Sequence, residues 1–77
     1  MDLAQIWKVA LAQIEVKLDS PAHFKTWFKD TNLLEITGNK AAIGVKNSYT
    51  MEWLHDHHHK LIKETLSYVH GKEVEPF

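Results

Sequence analysis

The 77-residue chain contains no cysteine, only three glycines and two prolines, and almost no net charge, at -1 with histidine neutral. The first absence rules out disulfides and any cysteine zinc site and fits a reducing compartment. Three dispersed glycines leave no glycine-rich phosphate loop, and no Gly-x-Ser-x-Gly elbow is present. Near-neutrality argues against strong binding to duplex DNA, where affinity rests on neutralising several phosphates. No apolar run approaches the roughly 18 residues of a membrane helix. The start is unlike a signal peptide, since Asp2 and Lys8 interrupt it. These readings give the expectation of a soluble, cytoplasmic protein with no membrane role.

What is present is an ordinary globular composition, 44% hydrophobic and 25% charged, with three Trp, three Phe and two Tyr to fill a core. The length predicts one domain over residues 1–77. Leu3, Ile6, Trp7, Ala10, Leu11, Ile14 and Leu18 follow helical spacing and predict a helix over 3–18, with Val9 and Val16 off its stripe. Ser20 and Pro21 suit the cap and first position of a second helix ending near 29–31, with Phe24, Trp27 and Phe28 on one face. "LLEIT" and "AAIGV", separated by Gly38-Asn39-Lys40, predict a β-hairpin of weak alternation. Asn47 or Ser48 then caps a third helix running to about Val69 and stopped by Gly71. Its apolar stripe comprises Met51, Leu54, Leu61, Ile62, Leu66 and Val69, with His58 in the middle. Residues 71–77 read as an edge strand through Val74 or the start of a linker. The expected fold is α+β, ordered α-α-β-β-α(-β) in a KH-like arrangement, with helices covering one face of a two- or three-stranded sheet.

"WLHDHHHK" (53–60) concentrates four of the six histidines, and His55-Asp56-x-x-His59 echoes a zinc-protease pattern. On a helix these rings spread around the axis. His55–His59 and His55–His58 are the pairs with chelating spacing, but no third ligand is evident, and Asp replaces the longer Glu base. The reading is helix surface plus one core-edge histidine: no biological metal site, no cofactor and no catalytic residue. Gly38-Asn39-Lys40-Ala41 lacks the second glycine of a KH nucleic-acid loop. Lys25, Lys29, Lys40 and Lys46 form at most a weak rim for single-stranded nucleic acid, which stands as the alternative function. A binding module is the leading reading. Its candidate anchors are the aromatics that the core pattern can spare: Trp7, Phe24, Tyr49 and Trp53.

The ordered set Ile6-Trp7, Leu11, Ile14, Leu18, Phe24-x-x-Trp27, Val45-x-Asn47-x-Tyr49, Glu52-Trp53-Leu54 and Leu61-Ile62 resembles the N-terminal domain (domain I) of the bacterial chromosomal replication initiator DnaA. The resemblance covers nearly the whole chain. It implies a non-enzymatic interaction hub that self-associates weakly, contacts the replicative helicase and receives regulators of initiation. It further implies interface roles at Trp7 (self-association), His23, Phe24, Asn47 and Tyr49. Three positions depart from the family pattern. His23 stands where an acid is common, and Tyr49 fills the aromatic position after the Asn. His58 stands where Tyr is usual. The chain has neither an ATP-binding loop nor a helix-turn-helix, so ATP hydrolysis and origin-box recognition are not expected of it.

Overall fold

The computed structural model describes residues 2–77, in the order α1 (Leu3–Leu18), α2 (Pro21–Phe28), β1 (Asn32–Thr37), β2 (Lys40–Gly44), α3 (Ser48–His70) and β3 (Glu75–Pro76). The fold is α+β, as expected. Three side chains start the helices by accepting an otherwise orphaned backbone N–H. Asp2 Oδ1 accepts from Gln5 N at 2.8 Å, Ser20 Oγ from His23 N at 3.3 Å, and Asn47 Oδ1 from Thr50 N at 2.8 Å. Gly71 ends α3 at φ +87°, where its N–H donates to Ser67 O at 2.9 Å. Glycine adopts that left-handed conformation without steric cost.

β1 and β2 pair antiparallel through a two-residue loop, Gly38-Asn39, with Gly38 at φ +59°. Positive φ at the first loop residue alone is the pattern of a type II′ turn. The register shifts between Leu33 and Glu35, so Leu34 is an extra residue in β1. Because of this bulge, Leu33 and Ile36, three residues apart, both reach the core, and a strict period of two is lost. Leu34 turns outward and covers Gly44, where a Cβ would lie 3.1 Å from the leucine side chain.

β3 adds to β2 in parallel, giving the sheet order β1-β2-β3. Glu75 N donates to Asn39 O and Phe77 N to Ala41 O. Pro76 sits between these donors, where a missing N–H costs the ladder nothing. The tail is therefore an edge strand, and Val74 is fully buried in front of it. Ser67 Oγ accepts from Val74 N at 3.0 Å and ties the strand back to α3. Glu75 also pairs with Lys63 Nζ and His59 Nε2, both at 2.9 Å. The Lys63 ammonium holds the Glu75 carboxyl below the usual range.

The core lies between the sheet and the helices. It is built from Ile6, Trp7, Ala10 and Ile14 of α1, Phe28 of α2, Leu33, Ala41 and Ile43 of the hairpin, Leu54, Ile62 and Leu66 of α3, and Val74. The stripe predicted for α3 needs one correction. Met51 is 43% exposed, and Thr50 and Thr65 are buried instead. Thr65 keeps its hydroxyl satisfied by accepting from Lys17 Nζ at 3.0 Å, across from α1. Val16, placed off the stripe of α1, is exposed.

Candidate interaction face

α1 packs on α3, on α2 and on β1, whereas the backbones of α2 and α3 scarcely approach each other. Long flat side chains span the distance. Trp27 of α2 and Trp53 of α3 lie parallel, ring centroids 3.8 Å apart at an interplanar angle of 1°. Tyr49, on the first turn of α3, leans toward Trp27 at 5.9 Å and is 67% exposed. On the other side of the stack, Trp53 is ringed by His57 at 4.6 Å, His58 at 5.1 Å and His23 at 5.2 Å. The two tryptophans and His23 are half-buried. The joint is thus a continuous aromatic strip, Tyr49–Trp27–Trp53–His23, open to solvent along one side. Such rings offer large contact area at small conformational cost, as interface anchors do.

The histidine half of the strip holds a contact between residues 35 positions apart: His23 Nε2 and His58 Nε2 are 3.0 Å from each other. At hydrogen-bond distance, one ring must donate and the other accept, so the two nitrogens cannot both carry protons. His58 also touches Phe28 of the core, at 5.8 Å between centroids. Burial disfavours its charged form, and His23 and His57 add like-charge repulsion. His58 is therefore expected to titrate below the ordinary imidazole value, with the midpoint read by NMR of the ring carbons. The sign for stability follows. The unfolded chain takes up this proton at higher pH than the folded chain, so folding stability falls as pH drops from the ordinary imidazole value toward the lowered one. Urea unfolding of wild type against His58→Gln across that window checks the slope, and the wild type should show the steeper acid loss.

The sequence-nominated residues separate into three places. His23 and Tyr49 stand at the two ends of the strip. Asn47 lies beside it, with its side chain engaged as the cap of α3. Phe24 is turned away. It stacks on Phe28 at 5.6 Å and lines an apolar cleft of about 660 Å³ between α1 and α2, with Leu11, Lys25 and Lys29. Trp7 requires a correction: it is not spare to the core but part of it, 4% exposed, with Nε1 donating to Thr31 Oγ1 at 3.1 Å. Its edge forms the floor of a shallow cleft lined by Leu3, Ala4, Lys8, Leu11 and Leu33. Trp53, already a candidate anchor, is at the centre of the strip. Trp27 and the His23–His58 contact were not nominated. Trp27 reads in sequence only as part of the aromatic face of α2, and nothing local in sequence links His23 to His58.

Of the histidine pairs with chelating spacing, His55–His59 does adjoin, centroids 5.1 Å apart, but His59 Nε2 is occupied by Glu75. Among the described residues, no group of three or more His, Cys, Asp or Glu side chains gathers to hold a metal ion. No described helix is long and apolar enough to cross a membrane.

Comparison with known proteins places the chain. The family model described as the DnaA N-terminal domain matches residues 4–68. The chain is 35% identical over 74 residues to the chromosomal replication initiator protein DnaA of Thermomicrobium roseum, an alignment covering 96% of this chain and 16% of that protein.

Proposed function

The chain belongs to the DnaA N-terminal domain family, and on that premise we propose that it is a non-catalytic interaction module of a cytoplasmic replication initiator. Its role is to bring the replicative helicase and initiation regulators to the initiator through the aromatic strip of α2 and α3. The observation that carries this reading is Tyr49. A tyrosine 67% exposed, fixed on the first turn of a capped helix and resting beside a tryptophan stack, contributes little to the core. It has the chemistry of an interface anchor.

Tyr49→Ala is the corresponding test. Folding stability is expected to change by less than about 1 kcal/mol, because surface substitutions away from buried features cost little. Binding to the purified replicative helicase is expected to weaken at least about tenfold, the loss of a typical anchor. Calorimetry or surface plasmon resonance reads the second effect, and urea unfolding reads the first. Unchanged helicase binding by a folded Tyr49→Ala protein would sink the assignment of this face. Salt-sensitive binding of a single-stranded oligonucleotide, weakened by the same substitution, would instead move the face to nucleic acid.

Weak self-association is proposed on a different surface, the outer side of α1 around Leu3, Ala4, Lys8 and Leu11. Trp7 supports that surface from beneath. Leu3 and Leu11 are half-buried in the isolated chain and have apolar area left to cover.

A further inference from the structure

We propose that His23 and His58 form a two-imidazole clamp for a borderline divalent transition metal ion, Zn²⁺ or Ni²⁺, bridging α2 to α3 beside the aromatic strip. The two Nε2 atoms are 3.0 Å apart, with ring planes at 84°. Two imidazole nitrogens each bound at about 2.0–2.1 Å to one ion stand about 2.9 Å apart at right angles and about 3.3 Å at the tetrahedral angle. The observed separation falls inside that span, so an ion can enter with shifts of a few tenths of an ångström. Neither Nε2 has any other hydrogen-bond partner among the described residues. Both rings are half-buried, so water can reach the ion and fill its remaining positions; with no third protein ligand among the described residues this is an open, exchangeable site and not a structural or catalytic zinc centre.

The other histidine pair is an internal contrast. His55 and His59 are also neighbours, but His59 Nε2 is taken by Glu75 at 2.9 Å, and His55 Nδ1 faces Asp56 at 3.6 Å. The nitrogens left for an ion there are His55 Nε2 and His59 Nδ1, whereas at His23–His58 the two Nε2 atoms already face each other and an ion replaces a single hydrogen bond. The clamp also differs in consequence. It joins two helices whose backbones scarcely touch and fixes Trp53, whose ring is 5.2 Å from His23 and 5.1 Å from His58. Because the ion binds only the folded arrangement, it raises apparent stability by an amount that grows with the logarithm of ion concentration above the dissociation constant.

The experiment is a Zn²⁺ titration of the tag-free chain above the imidazole titration range, followed by NMR of the histidine rings. No partner protein is present, so the outcome is independent of the helicase reading. The expected result is saturable one-to-one binding, with the His23 and His58 resonances moving first. Ni²⁺ is expected to quench Trp53 fluorescence at the same stoichiometry. His23→Ala and His58→Ala should each weaken binding at least about tenfold, since each removes one of two ligands. His55→Ala and His59→Ala should leave the first binding event unchanged. First movement of His55 and His59, equal affinity in a folded His23→Ala protein, or no saturation below millimolar Zn²⁺ would each overturn the proposal. The wild-type spectra identify the ligands by themselves, so the test stands even if a variant is poorly folded.

Discussion

Trp7→Ala is expected to remove about 3–5 kcal/mol of folding stability, the usual cost of deleting a buried large aromatic. The indole is 4% exposed and sits among Ile6, Ala10 and Leu33 in the core. Its N–H donates to the Thr31 hydroxyl, which in turn donates to Phe28 O at 2.6 Å. That chain of bonds pins the segment linking α2 to β1, where Asp30 adopts a left-handed φ of 64°. A small domain has about 5–15 kcal/mol in total, so the loss is a large share of it. At about 4–8 °C per kcal/mol for a domain of this size, the midpoint of thermal unfolding should fall by more than about 10 °C. Thermal unfolding followed by circular dichroism reads this. Trp7→Phe keeps most of the ring and is expected to fold at a cost of about 1–2 kcal/mol, chiefly the lost indole bond. The contrast bears on self-association. A folded Trp7→Phe protein that associates like the wild type by sedimentation would show that Trp7 supports the α1 surface from within. Near-wild-type stability of Trp7→Ala would show that the indole is not core.

The position of Trp7 marks where local reasoning stops. Its burial depends on β1 and on Thr31, 24 residues along the chain, so helical spacing in α1 places it on the stripe without showing what covers it. Features decided within a few residues were legible: Ser20 with Pro21 starting α2, Asn47 as one of two candidate caps of α3, Gly71 ending it, and the hairpin turn, although Lys40 belongs to β2 and not to the loop. Family membership was legible too, because it rests on a spaced set of residues rather than on any contact. The bulge at Leu34 hid the alternation of β1, since an extra residue puts Leu33 and Ile36 out of the period of two. The direction of β3 was not legible, because a two-residue strand carries no pattern of its own. His58 was correctly expected at the edge of the core. Its partner His23 was not, because only the fold brings the two helices together at that height.

Phe28→Ala carries the second large expected effect, and it tests how the strip is held. Phe28 is the one fully buried residue of α2, 1% exposed, and the helix is only eight residues long. A helix that short is not stable by itself in water, so its seat in the core must supply the stability. Removing the ring should cost about 3–5 kcal/mol through lost burial and the cavity left behind. The consequence reaches the face. With α2 unseated, Trp27 loses its register against Trp53, and His23 loses His58, since every link between these helices comes from side chains placed by that seat. The fraction that stays folded should therefore show a changed tryptophan near-ultraviolet signal together with weakening of the helicase binding proposed for this face. Tyr49→Ala, by contrast, should lose binding with stability nearly intact. Phe28→Leu refills much of the cavity and should recover part of both properties. If Phe28→Ala kept the tryptophan signal and the binding while losing only stability, the strip would be organised by α3 alone, and α2 would be a passenger rather than half of the face.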